Sequence, residues 1–383
     1  MPILQKIKLL FGRYPFVWIS GLTFLSTFVV HLPFYFKDFS VVYRHWDGPI
    51  YMYIAKTLYF IPADHPFQDT TAIFYASFLP LYPLVIRLMT LLTFGHYPQA
   101  MILSTLITTA IAATLLHRLL QEWRLVKSPA WSTVLFCFLP ARWLLIHSVG
   151  SSEPLFLCCA FAALLAYKRN RDWMVILFIF LACLCRPPGV LLVPVFAILY
   201  WRQRKWRTIC LLPIALLGIP ALFTYYYFVV GDFFAFFYVH LNRAFNTGQG
   251  KASAISSLPL EIYRFYAARP NFHSTDYYAL LYLLNLTGTL ALWKKSRELF
   301  FYCLIFFAFT CFQMTFDLPR YSLTFMALSL LVAFDSILTQ KYFRYIVFPF
   351  SLYLGYKYAW GFLPLGVCSP EVLRVMLRHF ETL

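Results

Sequence analysis

The sequence predicts an all-α fold, a polytopic bundle of transmembrane helices. Three observations predict it: 61% of the 383 residues are hydrophobic, only 12% are charged, and the Lys and Arg residues collect in short clusters between long apolar runs. An average soluble domain carries roughly 25% charged residues, and basic clusters of this kind mark cytoplasmic loops. The formal net charge of +17 is therefore interpreted as membrane orientation and not as a surface for nucleic acid.

The apolar runs predict about eleven crossings. Lys6, Lys8 and Arg13 precede the first run, so we expect a cytoplasmic N-terminus and a first helix that stays as a membrane anchor. The runs that follow alternate in direction. In chain order the predicted crossings are 16–36, 101–116, 131–148, 154–167, 173–185, 190–200, 208–230, 277–293, 299–315, 321–338 and a last helix ending near 363. We predict one transmembrane domain over 1–383, with no separate soluble domain.

Two long segments are predicted to lie on the extracytoplasmic side. The first, 37–97, is expected to carry juxtamembrane helices, and its part 74–94 is either a crossing or a helix that dips into the membrane. The second is 231–276. Several middle helices are shorter than the roughly 20 residues that a full span needs, so they should lie inside the bundle and leave a cavity on the outer side.

A dense polar stretch follows the first helix: Arg44, His45, Trp46 and Asp47, with Tyr51 one turn later. Asp47 precedes Gly48 and Pro49, a pattern typical of a helix N-cap. A helix N-terminus also keeps a carboxylate ionised. The structural and the functional interpretation of Asp47 are therefore compatible, and both stay open.

Seven further polar residues are predicted at or near outer helix ends: Arg142, His147, Glu153, Arg186, Asp232, Asp317 and Arg320. Charges next to apolar runs are costly and often mark function. Each has a structural alternative, since Glu153 starts a helix, Arg186 precedes a Pro-Pro breaker, and Arg320 opens a helix against its dipole. We expect these residues around one outward-facing cavity.

Metal and cofactor chemistry is not indicated by the sequence. Asp64, His65 and Asp69 are the nearest approach to a ligand cluster, but acids in a solvated loop are common. The nine cysteines fall mostly in apolar runs and show no paired metal-ligand spacing. We therefore predict no metal and no cofactor.

Six motifs, in order, resemble the integral-membrane glycosyltransferases of the GT-C superfamily, most closely the PIG-V-like family of GPI mannosyltransferases and their bacterial relatives. The resemblance covers about 15–338, with His45 and Phe233 departing from the usual pattern. The matching stretches are His45-Trp46-Asp47-Gly48-Pro49-Ile50-Tyr51 with Ile54-Ala55, Phe78-Leu79-Pro80-Leu81-Tyr82-Pro83 with Arg87, Ser152-Glu153-Pro154-Leu155-Phe156, Arg186-Pro187-Pro188-Gly189, Gly231-Asp232-Phe233-Phe234-Ala235-Phe236 and Arg320-Tyr321.

The resemblance implies transfer of a sugar, a mannose-like hexose, from a polyprenyl-phosphate donor to an acceptor hydroxyl on the extracytoplasmic face, with inversion. A lipid phosphate leaves as a stable anion, so one general base suffices where a glycosidase needs two carboxylates. Asp47 is the predicted catalytic base. The predicted substrate-binding residues are Arg44, His45, Trp46, Tyr51, Glu153, Arg186, Asp232 and Arg320, with Arg186 and Arg320 on the phosphate.

The alternative function is a transporter or flippase for a lipid-linked or anionic substrate, for which a cationic cavity is equally suitable. Many secondary transporters show internal repeats and ion sites near the midplane, and neither is evident here. The predicted partners are the polyprenyl-phosphate sugar, a lipid, glycan or protein acceptor, and membrane lipid. We expect a multi-pass protein of a bacterial plasma membrane, or of the endoplasmic reticulum membrane in a eukaryote.

Overall fold

A computed structural model describes residues 14–67, 71–246, 274–312 and 317–382, and throughout these ranges the fold is helical, without a β-strand. The helices, in chain order, are α1 Pro15–Tyr35, α2 Ser40–Tyr43, α3 Gly48–Thr57, α4 Leu81–Met89, α5 Tyr97–Glu122, α6 Pro129–Phe138, α7 Ala141–Ile146, α8 Glu153–Lys168, α9 Asp172–Cys185, α10 Leu192–Arg202, α11 Trp206–Leu211, α12 Gly218–Val230, α13 Ala235–Asn246, α14 Ser274–Lys295, α15 Arg297–Cys311, α16 Leu318–Ala333, α17 Asp335–Leu338, α18 Phe348–Phe362 and α19 Pro370–Thr382. Short 3₁₀ helices lie at Ala72–Ser77, Pro187–Leu191 and Leu212–Leu216, and a π-helical turn lies at Phe343–Val347.

The described helices follow the predicted apolar runs, with three corrections. The run 321–338 is two helices, because α16 ends at Ala333 and α17 covers Asp335–Leu338. The run 131–148 is not one helix: α6 ends at Phe138 and α7 begins at Ala141, because Pro140 forces the preceding Leu139 into an extended conformation. The run 208–230 is interrupted by a 3₁₀ segment containing Pro213, which removes a helical donor.

Three stretches in the described part of the chain are long and apolar enough to cross a membrane: Pro15–Tyr35, Tyr97–Glu122 and Trp206–Val230. Shorter apolar helices accompany them, including Pro129–Phe138, Asp172–Cys185 and Leu318–Ala333. These apolar helices suggest a membrane protein. The count of about eleven crossings and the single domain over 1–383 remain predictions.

The segment 74–94 contains no helix of spanning length. A 3₁₀ helix ends at Ser77, and α4 has 9 residues followed by tight turns up to Gly95, whose φ is +84°. A helix of that length rises only about 14 Å, less than half of a hydrocarbon core of about 30 Å. The predicted second outer loop, 231–276, begins with α13 and otherwise lies largely outside the described residues.

The chain divides into two compact units. The first unit comprises Met1–Lys56, Leu81–Arg171 and Ser336–Leu383, and the second comprises Thr57–Pro80 and Asp172–Asp335. Asp47 and Glu153 belong to the first unit, whereas Arg186, Asp232 and Arg320 belong to the second.

The first unit is built around α5, which packs against α1, α4, α6 and α8. Its contact with α8 involves small buried residues, among them Ala112 and Ala113 on α5 and Ala160 and Ala163 on α8. Small side chains allow the two helix backbones to approach closely, as in membrane helix pairs. The approach is close enough for the Cys158 thiol to donate to the Thr108 carbonyl oxygen at 2.9 Å.

The second unit contains a three-helix group of α14, α15 and α16. Gly288 allows α14 to touch α16, because a Cβ there would lie 2.7 Å from the Ser329 carbonyl oxygen. The Tyr302 hydroxyl joins α15 to α16 by donating to the Thr324 carbonyl at 2.8 Å. The 3₁₀ helix Ala72–Ser77 packs elsewhere in this unit, against α12 and α13.

Candidate active site

Asp47 lies in a tight turn between α2 and α3. The backbone of Trp46 is in the left-handed region, with φ of +45°, and it reverses the chain just before α3 begins. The Asp47 carbonyl oxygen accepts a hydrogen bond from the Tyr51 amide at 3.0 Å, so Asp47 directly precedes the first helical turn. Arg44 and His45 are buried, whereas Asp47 is only partly covered. Asp47 is therefore a partly exposed residue between the buried Arg44–His45 pair and the buried Gly48.

A segment near the C-terminus, 362–368, fixes this turn, and we call it the C-terminal clasp. The Trp46 amide donates to the Gly366 carbonyl at 3.1 Å, and the Cys368 amide donates to the Arg44 carbonyl at 3.1 Å. An isolated antiparallel bridge pairs His45 with Val367. The backbone on the N-terminal side of Asp47 is thus held by a segment more than 300 residues away in sequence.

Arg44 and His45 also direct their side chains into the protein. The Arg44 guanidinium donates to the Cys368 carbonyl at 2.8 Å, to the Asp38 carboxylate at 2.8 Å and to the Ser40 hydroxyl at 3.1 Å. His45 is 1% exposed, and its Nδ1 donates to the Leu363 carbonyl at 2.8 Å. Both side chains thus connect the turn to neighbouring parts of the first unit, and their predicted role in substrate binding stays a prediction.

The indole of Trp46 lies in an aromatic and cationic stack. The Arg142 guanidinium carbon is 4.5 Å from the Trp46 ring centroid and 4.6 Å from that of Phe362. His45 stacks on Trp46 with 6° between the ring planes. Gly366 has φ of +70°, and a Cβ there would lie 2.3 Å from the Trp46 Nε1. Gly366 is therefore required both by its backbone conformation and by the position of the indole.

Three of the recognised motifs converge in the first unit. The Tyr51 hydroxyl is 3.0 Å from the Ser152 hydroxyl, and the Tyr51 and Tyr82 rings meet edge to face at 4.9 Å. The Ser151 amide donates to the Tyr82 hydroxyl at 3.1 Å. Glu153 is the first residue of α8 and is 2% exposed. The Trp-Asp, Leu-Tyr-Pro and Ser-Glu stretches are therefore parts of one packed cluster.

Two glycines make this cluster possible. A Cβ at Gly150 would lie 2.2 Å from the Met101 sulfur and 3.0 Å from the Gly48 Cα. The start of α3, directly after Asp47, and the turn before Glu153 are therefore in backbone contact. Any larger residue at Gly150 would push the two turns apart.

The far end of α3 is also anchored. Arg87 donates to the carbonyl oxygens of Ala55 and Lys56 at 3.1 and 2.9 Å, which satisfies the C-terminal carbonyls of the helix. Lys56 in turn donates to the Phe380 carbonyl of α19 at 2.8 Å. The Phe380 ring contacts the rings of Tyr53 and Tyr97, with centroids 6.1 and 4.9 Å apart. Arg87, noted in the motif comparison, thus has a structural role.

In the second unit Arg186 lies in a tight reversal after α9. Its amide donates to the Ala182 carbonyl at 3.0 Å, and its own carbonyl accepts from Gly189 at 2.9 Å. A Cβ at Gly189 would lie 2.3 Å from the Ala182 carbonyl oxygen, a contact with rigid backbone. The spacing between Arg186 and Gly189 therefore reflects this reversal, and Arg186 itself is 8% exposed.

Asp232 and Arg320 lie at helix starts in the same unit. Gly231 ends α12 with φ of +84°, and the Asp232 carboxylate accepts from the Phe234 amide at 2.7 Å just before α13. Asp232 therefore forms a local Asx turn. Arg320 is in the first turn of α16, and its amide donates to the Asp317 carbonyl at 2.9 Å.

No group of three or more His, Cys, Asp or Glu side chains in the described ranges is arranged to hold a metal ion. Of the loop residues considered as ligands, His65 is buried with its Nδ1 3.2 Å from the Tyr75 hydroxyl, and Asp64 is exposed. Asp69 lies outside the described residues.

Sequence reasoning missed the clasp, and it placed Arg142 among the outer polar residues without giving it a role. The motif resemblance ends near 338, so nothing marked Phe362, Gly366 or Cys368 as neighbours of Asp47. The available signal was indirect: Ser369 and Pro370 open an amphipathic helix, with Leu373 and Met376 buried on one face. Such an apolar face is expected to pack against other apolar residues, and α19 belongs to the first unit.

In the described residues the protein is all-helical, with apolar helices and a partly exposed acidic residue, Asp47, at a helix start. No protein-family model matches the sequence. Over 146 residues the chain is 29% identical to the GPI mannosyltransferase 2 of Drosophila pseudoobscura pseudoobscura. The match covers 33% of this chain and 28% of that relative, so it spans about a quarter of the relative's length. The similarity is distant but consistent with a mannosyltransferase-like family, and it suggests a glycosyltransferase of the membrane.

Proposed function

We propose that this protein transfers a mannose-like hexose from a polyprenyl-phosphate donor to an acceptor hydroxyl on the extracytoplasmic face of a membrane. The observation that carries the proposal is Asp47: a partly exposed acidic residue directly before the first turn of α3, in a turn whose preceding residues are fixed by the C-terminal clasp. The distant similarity to a GPI mannosyltransferase supports the type of reaction.

In the proposed reaction Asp47 accepts the proton of the acceptor hydroxyl. The acceptor oxygen forms a bond to the anomeric carbon from the face opposite the phosphate, and the bond between that carbon and the phosphate oxygen breaks. The polyprenyl phosphate leaves as an anion, so no acid is needed to protonate it. One attack from the opposite face gives inversion, and one carboxylate is enough.

Fixing the carboxylate matters because general bases act only within hydrogen-bond reach of the proton they accept. A displacement of about 1 Å can cost a hundredfold in rate. The contacts of Trp46 with Gly366 and of Arg44 with Cys368 restrict the backbone before Asp47. The hydrogen bond from Tyr51 restricts it afterwards. In this proposal Arg44 and His45 act through the turn and not on the substrate.

The donor phosphate needs cationic partners, and we assign this role to Arg186 and Arg320. A guanidinium binds phosphate with two parallel hydrogen bonds, which a lysine does not provide. Trp46, Tyr51 and Glu153 are proposed to shape the sugar pocket, and Asp232 is proposed to assist on the donor side. These assignments rest on the motif resemblance and on the chemistry of the side chains.

The test is sugar transfer by the purified chain in lipid nanodiscs, supplied with labelled polyprenyl-phosphate hexoses and glycolipid acceptors. We expect labelled product together with free polyprenyl phosphate. Asp47→Asn should lower turnover by a factor of about 10² to 10⁴, the usual contribution of a general base. The matched control is Asp64→Asn, which removes an exposed loop acid and should keep turnover near that of the unmodified protein.

Two results would contradict the proposal. If the Asp47→Asn protein turns over within a few-fold of the unmodified protein, Asp47 is not the general base. Movement of intact labelled donor between leaflets, without release of polyprenyl phosphate, would favour the flippase alternative.

A further inference from the structure

A strongly basic pocket lies in the second unit, where α10 and α14 end and α15 begins. Its volume is about 460 Å³, and it is lined by Arg202, Trp293, Lys294, Lys295, Ser296, Arg297 and Glu298. Sites for small ligands typically measure about 300 to 1,000 Å³. None of the residues proposed for sugar transfer is among its lining residues.

The charge of this pocket is mostly uncompensated. Four cationic side chains face one carboxylate, and that carboxylate, Glu298, accepts a hydrogen bond from the Ser296 hydroxyl at 3.0 Å. Within the described part of the chain, neither Lys294 nor Arg297 forms an ion pair. Like charges held together in this way are unfavourable unless an anion joins them.

Aromatic rings orient the two arginines. The Arg202 guanidinium lies 5.4 Å from the Phe301 ring centroid, and that of Arg297 lies 4.9 Å from the Trp293 ring centroid. Stacking on a ring leaves the edge of a guanidinium available for a planar or tetrahedral anion. Lys295 differs, because its ammonium donates to the Val332 carbonyl and so helps to hold α16.

The surroundings of the pocket are typical of a membrane interface. Trp293 is 45% exposed, Trp201 in the last turn of α10 is 64% exposed, and Trp206 at the start of α11 is 53% exposed. Exposed tryptophans collect at the level of lipid headgroups. Both basic segments that form the pocket are predicted to be cytoplasmic, where anionic lipids attract clustered Lys and Arg.

We propose that this pocket binds the phosphate-bearing headgroup of an anionic membrane lipid. Lys294, Arg297 and Arg202 contact the phosphate, and Trp293 lies beside the headgroup and upper acyl chains. The inference is independent of sugar transfer, because the pocket residues take no part in the proposed chemistry.

The experiment is calorimetric titration of the detergent-purified full chain with three probes: dihexanoyl-phosphatidylglycerol, dihexanoyl-phosphatidylcholine and inorganic phosphate. The phosphatidylglycerol should bind the tightest by a wide margin, since it combines a net negative charge with acyl chains. The double variant Lys294→Gln with Arg297→Gln should bind it roughly thirtyfold more weakly, from two lost cations near a phosphate. Arg204→Gln with Arg207→Gln removes two exposed cations that do not line the pocket, and we expect binding changed by no more than about twofold.

Three outcomes would overturn the proposal. If the two double variants bind phosphatidylglycerol equally weakly, the loss of affinity comes from overall charge and not from the pocket. If phosphatidylcholine binds as tightly as phosphatidylglycerol, the pocket does not require an anionic ligand. If inorganic phosphate binds as tightly, the pocket does not require a lipid. If the pocket double variant unfolds in neutral detergent, Lys294→Gln alone is the test, with an expected loss of about fivefold.

Discussion

Two cationic regions of this molecule differ in what their charges contact. In the turn before Asp47, Arg44 donates hydrogen bonds to Asp38, Ser40 and Cys368, and the Arg142 guanidinium lies over the rings of Trp46 and Phe362. At the basic pocket of the second unit, Lys294 and Arg297 have exposed heads and no ion pair among the described residues. Buried cations with protein acceptors position a site, whereas exposed unpaired cations are available to a ligand.

The strongest test of this comparison is Gly366→Ala, which should disturb the turn without removing any charge. The added methyl group would lie 2.3 Å from the Trp46 Nε1, so the indole or the clasp must move. A shift of about 1 Å near Asp47 should lower transfer about a hundredfold. Transfer and thermal stability are both measured, because the left-handed backbone alone should cost only about 1 kcal/mol.

Substitutions at two other glycines separate backbone strain from the clash with Trp46 as causes of a loss of transfer. Gly95→Ala shares the left-handed backbone, with φ of +84°, but meets no atom within 4 Å, so it reports strain alone. Gly361→Ala has open space within α18 and no unusual φ. Transfer by Gly366→Ala equal to that of these two controls would show that the clasp does not position Asp47.

Removal of the Arg142 cation distinguishes a role in positioning the turn from a role in binding a substrate. Arg142→Leu removes a cation 4% exposed and stacked on two rings, an interaction of about 2 kcal/mol when desolvated. We expect kcat to fall about tenfold, with KM for the donor nearly unchanged. Arg118→Leu is the control, because Arg118 is exposed on α5. A rise in KM at constant kcat would make Arg142 a ligand for the substrate and remove it from the positioning group.

The sequence could predict the helices, because these follow from local patterns of apolar residues. Apolar runs located every described spanning stretch, and the residues that meet in the first unit, Tyr51, Tyr82 and Ser152, are all motif residues. The break at Pro140 was visible in the sequence, yet a continuous apolar composition outweighed it in the prediction.

The clasp could not be predicted, because a contact between Trp46 and Gly366, 320 positions apart in the sequence, leaves no periodic signal in the residues between them. The contacts of Arg44 and His45 were equally hidden. Residue type marks them as polar groups beside Asp47, but only the positions of Asp38, Cys368 and Leu363 reveal that the protein itself supplies their partners. Side-chain direction, not composition, separates a supporting cation from a binding one.

The smallest effect is expected at Asp38, the most exposed member of the Arg44 group, with a side chain 51% exposed. Hydrogen bonds from Ser40, and next the Arg44 guanidinium, hold the pKa of Asp38 below its usual value of 3.8. A carboxyl group with a lowered pKa in the folded state contributes stability above its unfolded pKa, and that contribution is lost as the pH falls. Asp38→Asn should therefore destabilise the protein by up to about 1 kcal/mol at pH 7, the range of exposed ion pairs. The difference in Tm between the variant and the unmodified protein should shrink as the pH falls through and below 3.8, while Asp64→Asn serves as the control. A Tm difference that stays constant to low pH would mean that the Asp38 charge adds nothing, and that Ser40 and Cys368 alone hold Arg44.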